Sequence, residues 1–107
     1  MPQLVETHLL LQVTYMKAGL VQDAIRESKI VLEFIPDHYP SYLILGRELE
    51  LAGEYDEAIS SLKKAMELEP DAPDPHSLLA DVYDHMNRKW DADRQRSIAK
   101  RLTPATK

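Results

Sequence analysis

The chain of 107 residues contains no cysteine. That excludes a disulfide framework, a thiolate metal site and a nucleophilic thiol. Glycine is scarce, with Gly19, Gly46 and Gly53 only, so no glycine-rich loop is present to cradle a phosphate. No apolar run approaches the roughly 20 residues that span a bilayer. The N-terminus has no basic segment followed by an apolar stretch and a small-residue cleavage site, the pattern of a secretory leader. Positive charge is in deficit, with 13 Lys and Arg against 18 Asp and Glu, which argues against a nucleic-acid partner. The four histidines, His8, His38, His76 and His85, make no ligand pair with one another at helical spacing. Asp81 and His85, at i and i+4, are the one pair that could share a metal or a proton. No serine has a His and Asp partner placed to activate it, so no catalytic residue, cofactor site or metal site is expected. The expectation is a non-enzymatic, soluble, cytoplasmic protein without membrane insertion.

What the chain does have is a recurring pattern, clearest from Tyr42 to Pro70. Apolar residues at Tyr42, Leu45 and Leu49, then at Ala58, Leu62, Ala65 and Leu68, each trace one stripe of an amphipathic helix. Gly53 can take the positive φ that ends the first helix, and Pro70 halts the second. Small residues (Gly46, Ala58 and Ala65) stand where two helix axes must come close. The same pattern returns at a step of 34 residues: Leu11, Leu45 and Leu79; Tyr15, Leu49 and Tyr83; Ala24, Ala58 and Ala92; Val31, Ala65 and Ala99; Pro36, Pro70 and Pro104.

A 34-residue period with this order of large, small and proline positions resembles the tetratricopeptide repeat family. The frames are 5–38, 39–72 and 73–106, one domain covering nearly the whole chain. The resemblance implies an all-α fold, a right-handed superhelical solenoid of three helix-turn-helix units. Each unit buries an apolar face that only its neighbour can cover. The first unit is atypical. His8, Gln12 and Ser28 stand where the family has an aromatic, a small and a large apolar residue. Its first helix is apolar nearly all round through Leu4, Leu9, Leu10, Val13 and Met16, so these residues meet a partner or a second copy, or the chain belongs to a longer array.

The last helix differs in another way. Arg96 and Lys100 occupy positions that would be apolar if another unit followed, so the array is expected to end on a polar face. Residues 88–107 hold seven Lys or Arg against two Asp, and the remainder six against sixteen acidic residues. Asp74 followed by Pro75 reads as a helix N-cap and its first helical residue. Trp90, just after the third turn, is expected to pack between helices one residue late; an interface anchor is the alternative.

In the family, the first helices of successive units line a concave groove that holds a peptide or protein segment. The matching positions here are Leu9, Val13, Met16 and Lys17, then Leu43, Arg47, Glu50 and Leu51, then Ser77, Asp81, Asp84 and His85. That groove would run from apolar through mixed to acidic, and would suit a ligand apolar at one end and basic at the other. The family's carboxylate clamp for chaperone tails needs Lys, Asn and Arg at places where this chain has Leu9, Val13, Ile44, Asp74 and Leu78. Asp74 has the wrong sign for a carboxylate ligand, so chaperone-tail binding is excluded. The expected function is an adaptor or scaffold that binds a protein or peptide. The alternatives are homo-oligomerisation through the first helix or the Trp90 region, and a fragment of a longer scaffold.

Overall fold

The computed structural model describes residues 2–104. Six helices follow one another: α1 (Pro2–Lys17), α2 (Val21–Phe34), α3 (Tyr39–Leu51), α4 (Tyr55–Leu68), α5 (Asp74–His85) and α6 (Lys89–Leu102). They form three antiparallel hairpins, α1 with α2, α3 with α4 and α5 with α6. The hairpins are stacked so that α2 meets α3, α4 meets α5, and α3 also touches α5.

The same device closes each hairpin. Gly19 and Gly53 take φ of 76° and 77°, and Asn87 stands in the corresponding place at 59°. The next residue reaches back to the helix just completed: Leu20 N–H donates to Tyr15 O, Glu54 to Leu49 O and Arg88 to Tyr83 O, each at 2.9 Å. This is the Schellman arrangement, which satisfies orphan carbonyls through one left-handed residue. Asn is the non-glycine residue that tolerates that conformation best, so the third turn survives without glycine. The second helices end where Ile35, Glu69 and Thr103 donate their N–H groups to Val31, Ala65 and Ala99. Pro36, Pro70 and Pro104 follow, and proline disfavours helical geometry in the residue before it.

The α5 start differs from expectation. The helix already includes Asp74, Pro73 holds the cap position at φ −74° and ψ −25°, and no side chain caps it. Proline fixes a helical φ, and here that begins the turn one residue early.

The repeating positions are buried together. Ala24, Ala58, Ala92, Val31 and Ala65 have no exposed surface, and Leu45 and Leu79 are buried. Leu11 is only partly so, since α1 lies at the open end of the stack. Between the second and third hairpins the packing is apolar and close. A Cβ placed on Gly46 would lie 2.6 Å from Leu62 Cδ2, and Leu62 and Val82 share one core cluster.

Thirty-four residues earlier, the same three places hold Gln12, Ser28 and Glu48, all buried. Gln12 Nε2 donates to Ser28 Oγ, and Ser28 Oγ donates to Glu48 Oε1 at 2.7 Å. The junction between the first and second hairpins is therefore polar where the next junction is apolar. His8 Nδ1 pairs with Glu27 beside it.

Candidate functional site

The first helices α1, α3 and α5 carry the predicted binding residues. On α1, Val13 is 45% exposed and Lys17 is exposed, while Leu9 and Met16 are half-buried. On α3, Leu51 is 57% exposed and Arg47 is open to solvent; Leu43 and Glu50 are half-buried. On α5, Ser77, Asp81, Asp84 and His85 are all exposed. Turn geometry decides this pattern: the alanine and leucine stripe faces the hairpin partner, and residues roughly a third to half a turn away face outward.

The structure brings the middle and last groups together. His85 Nε2 lies 3.1 Å from Glu50 Oε2, and its ring stacks on Tyr55 with 5.8 Å between centroids and planes 4° apart. Burial, then the charge of Asp81, push the Glu50 carboxyl above its ordinary range; His85 and Arg47 oppose them. Asp81 and His85 thus turn to different partners rather than to a shared ion. Among the described residues no group of three His, Cys, Asp or Glu is placed to hold a metal. None of the described helices is long and apolar enough to cross a membrane.

Arg96 and Tyr55 belong to this region although neither was among the predicted binding residues. Arg96, on α6, pairs with Asp84 and lies 3.5 Å from Asp81. Its hydrogen bond to Asp84 holds that carboxyl below its usual range. The acidic end of the surface is consequently part-neutralised from within. The sequence marked Arg96 as polar and outward, and the hairpin register that sets it opposite Asp84 was the available signal. Tyr55 carried no comparable signal, because Val21 and Lys89 occupy its place in the other hairpins.

Trp90 is a correction. Rather than packing between helices it is 70% exposed, with the Arg94 guanidinium 5.6 Å above its ring. A shift of one residue rotates a side chain by about 100° around the axis, enough to carry the indole outside. Leu4, Leu10 and Val13 are also exposed, as the apolar periphery of α1 suggested. A shallow depression on α2, lined by Gln22, Ile25, Arg26, Lys29, Ile30 and Glu33, includes none of the predicted residues.

Residues 46–86 match the family model described as TPR repeat. Among solved structures, a crystal structure of MamA superposes with a TM-score of 0.87 at 32% identity, covering 96% of this chain and 60% of that one. The AMB-1 MamA gives 0.87 at 30% identity, covering 94% and 60%. A point mutant of MamA gives 0.86 at 29% identity, covering 94% and 74%. The chain thus spans less than two thirds of most of these relatives' length, down to 54% in one. No curated protein matches it.

Proposed function

Because the chain is built from tetratricopeptide repeats, we propose that it is a non-catalytic adaptor that binds a protein or peptide segment along α1, α3 and α5. One observation supports this most. Val13 and Leu51 lie bare on first helices, at 45% and 57% exposure, and Leu51 follows directly on Glu50, the half-buried partner of His85. Apolar side chains left open near fixed polar groups are what an extended or helical ligand needs for affinity and register. The ligand that fits carries apolar side chains for Leu9, Val13 and Met16. It carries basic ones for the end at Asp81 and Asp84. A panel of labelled synthetic peptides joining an apolar half to a basic half tests the reading by fluorescence polarisation. Leu43→Ala and Arg47→Ala should weaken the tightest peptide by roughly 5-fold or more, the range of an interface anchor, with helicity unchanged. Equal affinity in both variants removes the assignment.

Self-association is the second reading, favoured by Trp90 and Leu10, at 70% and 68% exposure. Aromatic anchors are frequent at interfaces. Light scattering at micromolar concentration should then show a species larger than the monomer that Trp90→Ala or Leu10→Ala dissociates; a monomer in the unsubstituted chain removes this reading.

A further inference from the structure

The Gln12, Ser28 and Glu48 cluster has more acceptors than donors where it needs them. Ser28 uses its one proton on Glu48 Oε1 and accepts from Gln12. Two buried atoms are left without a protein partner, Gln12 Oε1 and Glu48 Oε2. Both are acceptors when Glu48 is ionised, and both belong to side chains that grip the same hydroxyl. A proton on Glu48 Oε2 removes the buried charge and leaves one bare acceptor fewer. A buried polar group without a partner is costly, and an ionised carboxylate far more so.

We propose that this cluster is a proton-operated latch: protonated Glu48 closes the first hairpin onto the second, and loss of that proton loosens the junction while the second junction stays shut. The asymmetry follows from the repeat itself, since Gly46, Leu62 and Val82 fill the equivalent buried places at the second junction, and the Glu50–His85 pair across that junction lies outside those places with its histidine exposed.

Few ionisable groups surround Glu48. From α1 come Gln12 and, one turn earlier, His8; from α2 come Ser28 and Glu27, the partner of His8. The buried residues of α4 and α5 include no carboxylate and no cationic group. On α3 itself Arg47 is exposed and Glu50 turns to His85. Burial drives the Glu48 carboxyl up to about 7 against the opposing hydrogen bond from Ser28, so the latch works across neutrality. It stands independently of any ligand along the first helices.

Amide hydrogen exchange of the full chain, corrected for intrinsic rates at each pH, reads the latch directly. Between pH 5.5 and 8.5, protection in α1 and α2 should fall by roughly 30-fold, the linkage expected of a carboxyl released from 7 to its ordinary value, while α5 and α6 change little. The His8→Gln variant should keep this response, and Glu48→Gln, which carries a permanent donor, should lose it. Carbon NMR of the Glu48 carboxyl in the unsubstituted chain should titrate near neutrality, a readout that survives if a variant fails to fold. An ordinary carboxylate midpoint overturns the proposal. So does a protection change shared equally by α5 and α6, or one abolished by His8→Gln.

Discussion

Gly46 and Leu62 approach so closely that a methyl group on the glycine would lie 2.6 Å from one Leu62 carbon and 2.7 Å from the Cγ behind it. The second of these is not the free tip of a side chain, so rotation of the leucine end cannot relieve it. Alanine favours a helix interior over glycine by about 1 kcal/mol, whereas overpacking a core costs about 1–3 kcal/mol. Gly46→Ala should therefore destabilise, by about 1 kcal/mol net, in urea unfolding. Leu62→Ala alone should cost about 2–5 kcal/mol, and the double variant should be more stable than the sum of the two, because the space vacated by the leucine receives the new methyl.

How far the sequence disclosed the fold depends on which residues carried period. Leu45, Ala58 and Pro70 recur at a fixed step and each enforces one geometric demand, so three hairpins and their ends were legible. The third turn was less so, since Asn87 satisfies the left-handed requirement without being glycine. His8, Gln12 and Ser28 were visible as departures, but their assembly with Glu27 and Glu48 into a buried polar junction needed three helices to be placed at once. Trp90 failed for a simpler reason: proximity in sequence to an inward position says nothing about its angle around the helix. For the candidate site, position numbers located the exposed residues, while the pairings of His85 with Glu50 and of Arg96 with Asp84 depend on side-chain reach that spacing does not encode.

Asn87 offers a clean test of the turn. Its φ of 59° sits beside 76° and 77° for the glycines of the other two turns. Glycine meets no steric penalty there, and the left-handed cost for a residue with a Cβ is about 1–2 kcal/mol, smaller for Asn. Asn87→Gly should raise stability by about 0.5–1 kcal/mol, while Asn87→Ala should lower it by about 1 kcal/mol, both measured by thermal unfolding.

Global stability should also depend on pH, with a sign set by opposite shifts among the carboxyls, Glu50 acting in the same direction as Glu48. The Glu48 carboxyl is raised from 4.5 to about 7, so the folded chain holds that proton more tightly than the unfolded chain. Its contribution is fully present below pH 4.5 and disappears as pH rises through 7, a change of about 3 kcal/mol. Asp84 is lowered by its bond to Arg96, so its contribution is present above 3.8 and lost as pH falls further. The pair is exposed and worth little. Maximum stability should therefore lie between about pH 4 and 4.5, below neutrality, and Glu48→Gln should flatten the profile on the alkaline side. Urea midpoints across pH 4–9 measure this; a maximum at pH 8 would contradict the sign.

Trp90 should report its own exposure. As the single tryptophan of the chain, it dominates the fluorescence, and at 70% exposure its emission should match that of solvated indole and be quenched freely by iodide. Trp90→Ala should change stability by no more than about 0.5 kcal/mol in the monomer, as expected of surface substitutions. A blue-shifted, protected emission that appears only on raising the concentration would locate a contact between copies at this residue.

Arg96 sets the last test, because it already occupies the acidic end of the proposed binding surface. A basic ligand group approaching Asp81 and Asp84 competes with a guanidinium paired to Asp84 and 3.5 Å from Asp81. The carboxylates and Arg96 are about half-exposed, so solvent screens the internal pairing and it is easily given up. Arg96→Ala should free both carboxylates and tighten an apolar-basic peptide by roughly 2- to 5-fold, more at low salt than at high salt, since exposed charges are screened. Asp84→Asn should act in the opposite direction. If Arg96→Ala weakened the same peptide instead, the guanidinium would be contacting the ligand, and the basic end of the ligand would have to be reassigned as acidic.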